Sequence, residues 1–200
     1  MAVSKTKAKL VDVARQLFAK QGVENTTMND IALASKKGRR TLYTYFQSKE
    51  DIFDAVVESE LDILIETMKK VSEKNISIEE KMIEMIYTRL DAVKEVVYRN
   101  GTLRAVFFRD IWRVERVRKN FDAREILLIK DVLKEGIEKG VFDIDNVDLT
   151  AEIIHYCVKG IEVPYIKGRI GSDLDQKVKD RKSTRLNSSH PNVSRMPSSA

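Results

Sequence analysis

Within Thr26–Glu50, TTMNDIALASKKGRRTLYTYFQSKE, two short helical patterns are separated by a few residues and a longer helix opens at once. So short a spacing leaves room for a tight turn and for no strand. Ile31 and Ala32 on the first pattern, and Leu42 and Phe46 on the second, give each helix one face to bury. The pair is therefore expected to pack as a helix-turn-helix against the preceding amphipathic segment. Its second helix is poor in acids. Lys36, Lys37, Arg39 and Arg40 lead into Thr41, Tyr43 and Tyr45, with Lys49 just beyond. Such a helix suits a DNA major groove, where Arg reads guanine edges while Tyr, Thr and Lys hold phosphates.

Charge supports a nucleic-acid partner for this end of the chain. Residues 1–49 hold ten Lys/Arg against three Asp/Glu, a net of +7. Residues 50–179 hold 22 against 27, a net of −5. A basic module on a mildly acidic body fits a DNA reader joined to a separate protein domain.

The stretch resembles the helix-turn-helix of TetR-family (tetracycline-repressor-like) regulators, whose pattern runs roughly TTxxxIAxxAGVSxGTLYxYFxSKExL. The matching residues are Thr26-Thr27, Ile31-Ala32, Thr41-Leu42-Tyr43, Tyr45-Phe46 and Ser48-Lys49-Glu50, with Ala14, Leu17, Phe18 and Gly22 upstream. The resemblance is specific over residues 8–56 and only architectural over 57–179. Two departures stand out. The family's Ala-Gly-Val-Ser turn is here Ser35-Lys36-Lys37-Gly38, and Arg40 replaces the usual Gly of the recognition helix.

The body reads as helical almost throughout. Leu10, Val13, Ala14, Leu17 and Phe18 keep helical spacing up to Gly22. Capping-box spacing recurs at Thr27 with Asp30, Ser48 with Asp51 and Ser77 with Glu80. These open helices that run to about Val71 and to Asn100-Gly101 in the second and third cases. Leu103, Val106, Phe107, Ile111 and Trp112 suggest one further segment, and Ile126 to Ile137 another, closed by Gly140. A last helix is expected from Asp148 to about Gly160, with Pro164 kinking or ending it. The fold expected is all-α and TetR-like. A head, 1–47, precedes a helical effector-binding and dimerisation body, 48–179, in eight helices with a ninth lost.

Residues 180–200 differ in kind, being Ser-rich and holding two of the three prolines. Asp180–His190 matches a translation of a common sequencing-library adapter, and Ser194–Ala200 matches its continuation. The tail is therefore hypothesised to be non-native and disordered, with an authentic helix missing; the same codons in the native gene would refute this.

On the residues, Arg39 and Arg40 are the expected base readers, and Thr41 a base or phosphate contact. The resemblance implies Thr27, Tyr43 and Lys49 as phosphate contacts. Tyr45 is divided between phosphate contact and packing, and Lys36 and Lys37 between contact and simple solvation. The resemblance also implies a homodimer on a palindromic double-stranded DNA operator, and a small-molecule effector in the body. Tyr87, Tyr98, Phe107, Phe108, Trp112, His155 and Tyr156 are candidates to line its site, or else plain core. Arg104, Arg109, Arg113, Arg116 and Arg118 either favour an anionic ligand or face solvent. Gly160 either lets a second helix approach closely or packs against the body.

Cys157, the only cysteine, sits in an apolar run and is expected to be buried and inert. No second His or Cys stands at ligand spacing from His155, so no metal or cofactor is expected. No glycine-rich phosphate loop, nucleophile elbow or HExxH appears, which argues against an enzyme. No apolar run spans a membrane and no signal-peptide core is seen, so a cytoplasmic protein is expected. A ligand-responsive repressor is the leading reading; an architectural DNA-binding protein without an effector is the alternative.

Overall fold

The computed structural model describes residues 5–99 and 111–170. Among these residues every regular element is a helix: α1 Lys5–Gln21, α2 Met28–Ala34, α3 Arg39–Tyr45, α4 Lys49–Ser72, α5 Ile78–Arg99, α6 Ile111–Glu138 and α7 Val147–Ile166. The chain divides into two compact units, residues 1–162 and 163–200. In the second, the described residues complete the last turns of α7 and reverse at Gly168, with φ 65°.

The first unit holds two apolar cores. Leu10, Val11, Ala14 and Phe18 of α1 meet Ile31 and Ala32 of α2, Leu42 of α3 and Phe46 just after it. Ile52, Phe53 and Val56 of α4 close this core, so it extends past residue 47. The Phe18 and Phe53 rings lie 6.2 Å apart in a tilted arrangement, a favourable one for two quadrupoles. The second core joins Leu64, Ile65, Met68 and Val71 of α4 to Ile78 and Met85 of α5, to Phe121, Ile129, Val132 and Leu133 of α6, and to Ala151 of α7. One helix therefore serves both cores.

The helix starts follow the caps read in the sequence. The Thr27 and Ser48 side chains accept from the Asp30 and Asp51 amides, and each Asp reaches back to its cap amide. Each cap is worth about 1 kcal/mol. Gly140 reverses the chain after α6 with φ 67°, a conformation that carries little penalty only without a side chain. Gly136 has a different reason: a Cβ there would meet the Phe142 ring at 2.4 Å.

Three expectations are corrected. From Ile111 onward α6 is one helix of 28 residues, not two segments meeting near Ile126. The apolar pattern lapses between them because Arg118 and Glu125 face inward there. α7 continues to Ile166 with Pro164 inside it; near the carboxy-terminal end the missing amide costs a single bond. Cys157 is exposed, because the inward face of α7 is taken by Ala151, His155 and Val158.

The turn between α2 and α3 holds the one non-glycine residue at positive φ among the described residues, Lys36 at φ 54°. This is the position where the family pattern has Gly. Ser35 is fully buried and its hydroxyl donates to the Ala32 carbonyl at 2.9 Å, while the Lys37 amide donates to the same carbonyl at 3.0 Å. Those bonds hold the chain in a left-handed conformation that costs an L side chain about 1 kcal/mol. Gly38 has φ −66° and does not need to be glycine. Lys36→Gly is expected to raise stability by about 1 kcal/mol in urea unfolding; an unchanged or lower midpoint would contradict the strain.

Candidate nucleic-acid interface and body cavity

α3 is positioned from beneath. Leu42 is fully buried and Phe46 nearly so, and together they plug the helix into the head core. The other side of the turn and helix is left to solvent: Lys36, Lys37, Arg39, Arg40 and Tyr43 are exposed, and Thr41 is half-buried. Arg39 and Arg40 begin the helix, where side chains of a groove-seated helix reach base edges. α3 is only seven residues long, so it has no bulk of its own between these bases and a duplex.

Three of the expected contacts have other work. The Thr27 hydroxyl lies 2.8 Å from Asp30 Oδ2 and accepts from the Asp30 amide, so capping engages it. That bonding also holds the exposed Asp30 carboxyl below its ordinary pKa, through the Thr27 backbone first and its hydroxyl second. Lys49 turns inward. Its ammonium donates to the Val23 carbonyl at 2.7 Å and the Glu24 carbonyl at 3.3 Å, tying the start of α4 to the α1–α2 loop. Tyr45 is half-buried and packs against the head core.

In the body, a cavity of about 540 Å³ opens beside α4 and α5. Phe53, Val57, Leu61, Leu64, Val93 and Val96 make its wall mainly apolar, and Arg15, Glu60 and Arg118 add charge. Of the aromatics expected at an effector site, Tyr87 is not in this wall, His155 is buried in ionic contacts, and Tyr156 is 62% exposed on the outer side of α7. Phe107 and Phe108 lie outside the described residues, as do the side chains of Tyr98 and Trp112.

Residues 10–56 match the family model of bacterial regulatory proteins of the tetR family. The chain is 27% identical over 158 residues to the transcriptional regulator QacR of Staphylococcus aureus, covering 78% of this chain and 83% of that one. It is also 27% identical over 158 residues to the transcriptional repressor KstR2 of Mycobacterium tuberculosis, covering 76% and 77%. The regulator FadR of Bacillus subtilis, solved in complex with stearoyl-CoA, shares the fold with a TM-score of 0.58 at 18% identity, over 81% of this chain and 88% of that one. The chain is a transcriptional regulator whose residues 10–56 are those of the tetR family. Among the described residues no helix is long and apolar enough to cross a membrane.

Behind the cavity the regulator buries an ionic network that the sequence did not disclose. Arg89 of α5 pairs with Glu125 of α6, and at 2.9 Å with Glu162 of α7. Arg118 of α6 holds both oxygens of Glu162, at 2.7 and 2.9 Å. His155 Nδ1 meets Glu125 at 2.6 Å, and Lys159 bridges Glu115 and Asp122 at 2.7 and 2.8 Å. Burial favours loss of the Arg118 proton, yet Glu162 chiefly, with Asp122 and Glu125, outweighs it and holds the guanidinium above its ordinary pKa. Lys159 follows the same balance, with burial opposed and overcome by Asp122 and Glu115.

Asp122, Glu125 and His155 bring ligand atoms within 4.8 Å of one another, a grouping that spacing alone did not suggest. Lys159 on Asp122 and Arg89 on Glu125 already neutralise those carboxylates, so the chemistry is that of a balanced salt-bridge cluster rather than a metal centre. Glu162→Gln removes the charge that two buried guanidinium groups share. It is expected to lower the regulator's stability by about 3 kcal/mol at constant denaturant slope; a loss below about 1 kcal/mol, the level of a surface pair, would contradict the burial.

Proposed function

We propose that the regulator is a homodimeric repressor of the cytoplasm that binds a near-palindromic operator and is released by a small molecule held in the α4–α5 cavity. The observation carrying this reading is the division of labour along α4: its first turns complete the DNA-binding core, and its later turns wall the cavity. A ligand that prefers one arrangement of that helix would bias the head. The repressor KstR2 and the stearoyl-CoA complex of FadR support the sign and the ligand response. The cavity also favours this reading over an architectural protein with no effector. Residues 1–47 are assigned to DNA binding and 48–179 to effector binding and dimerisation.

Arg39 and Arg40 are assigned to base reading, with Thr41, Tyr43 and Lys37 at the backbone. Thr27 and Lys49 are assigned first to holding the head together. A random duplex pool selected with the chain is expected to yield a near-palindrome whose half-sites lie about 34 Å apart. On that operator Arg39→Ala and Arg40→Ala are each expected to lose about 1–3 kcal/mol of discrimination over random duplex. Equal losses on both duplexes would assign these residues to phosphate attraction instead.

A second copy of the chain is the proposed occupant of the outer face of α7. Leu149, Ile153, Tyr156 and Ile161 are all exposed there, and a Cβ on Gly160 would meet nothing within 4 Å. Four large apolar side chains on one helical face, with a smooth point among them, suit close approach of a two-fold mate. Ile153→Glu places two charges at that seam. Sedimentation is expected to show monomer for the variant and dimer for the parent; a variant that stays dimeric would move the interface elsewhere.

A further inference from the structure

We infer that the cavity receives an amphipathic molecule with an acidic end group, and that this group acts by taking Arg15 from Glu60. The inference deepens the proposed ligand response and rests on it. Arg15 belongs to α1 in the head, whereas its partners Ser59 and Glu60 belong to α4. Its Nε lies 2.7 Å from Glu60 Oε1, and its Nη2 donates to Ser59 Oγ at 2.8 Å. A third contact, from Nη1 to Asp12 at 2.9 Å, stays within α1. One guanidinium therefore clamps the head to the linker helix, beside the Phe18–Phe53 packing that does the same through the core.

Both halves of this clamp line the cavity, and Arg15 is the single residue from 1–47 in its described wall. A molecule held there touches the lock of the head directly. The other guanidinium in the wall is Arg118, which is 4% exposed. Glu162 takes its two Nη groups, but its Nε is buried without a hydrogen-bond partner, and the nearest Asp122 oxygen is 3.7 Å away. A buried donor left in that state favours an incoming acceptor.

The rest of the wall decides the remainder of the ligand. Apart from its charged groups the lining is dominated by Val57, Leu61, Leu64, Val93 and Val96, which suits an aliphatic or aromatic body. An acidic end brings a carboxylate of the kind that Glu60 now sets 2.7 Å from Arg15 Nε, a nitrogen that has no hydrogen-bond partner, so it competes for Arg15 on equal terms or better. A hydroxyl is a weaker competitor, and an ammonium offers a guanidinium no acceptor at all. Asp91 and Glu95 also line the wall, but both are exposed, so solvent screens their repulsion of an acid at Arg15. Because the ligand gains Arg15 only when the clamp opens, binding and head release are linked reciprocally.

The test titrates decanoate, decanol and decylammonium into the full chain by calorimetry, with hydrogen exchange followed on α1. Decanoate is expected to bind roughly tenfold or more tightly than the other two, and to speed exchange in α1. Glu60→Gln removes the competitor and is expected to tighten decanoate by roughly fivefold or more, with α1 exchange already fast. Arg15→Gln is expected to erase the advantage of decanoate over decanol. Both replaced side chains are partly exposed, so the fold is expected to tolerate them. Equal affinity for decanoate and either other probe, or unchanged decanoate affinity in Glu60→Gln, would overturn the inference. These titrations use no DNA. A chain that selects no operator overturns the regulator proposal alone, and one that selects an operator yet prefers no acid overturns this inference alone.

Discussion

α4 is the constraint on which the rest of the first unit depends. Its opening turns bury Ile52, Phe53 and Val56 in the head core, and its later turns bury Leu64, Ile65, Met68 and Val71 in the body core. A helix behaves as a rod at 1.5 Å per residue, so displacement at one end is carried to the other. The Ser48 capping box fixes where that rod begins, and Lys49 ties its first turn to the loop after α1. The attitude of the head is set by α4.

The two places where the chain sets stability aside both lie near function. Lys36 holds a left-handed backbone in the turn that leads into α3, and it brings a positive charge to the exposed side of that turn. Arg89, Arg118, Glu125 and Glu162 are buried where apolar side chains of similar volume would serve the core as well or better. What ions add is specificity of arrangement: the charges are satisfied only when α5, α6 and α7 meet in one register. Arg118 carries this network to the cavity wall.

Much of the head was legible in the residues. Helical periodicity marks Leu10, Ala14, Phe18, Ile31, Ala32, Leu42 and Phe46, and all of them are buried. Thr27 with Asp30 and Ser48 with Asp51 announce two helix starts through a local reach of three residues, which needs no tertiary partner. The body was less legible for one physical reason. Its inward face mixes ions with apolar groups, so the apolar period fades across residues 113–125 and α6 looks like two pieces. His155 and Tyr156, adjacent in the chain and similar on paper, face opposite ways, one into the ionic network and one into solvent.

The sequence by itself determined the all-α character, the basic head on an acidic body, the helix boundaries set by caps, and the exposed bases of the recognition helix. These follow from interactions between residues close in the chain. Only the tertiary structure decided which charges are buried, that Lys49 faces inward, that Cys157 faces outward, and that Arg15 from one end meets Glu60 across the cavity wall. Such pairings join helices distant in sequence. A charged side chain has the same identity on a solvated face and in a buried pair, and only the partner that folding brings within about 3 Å distinguishes them.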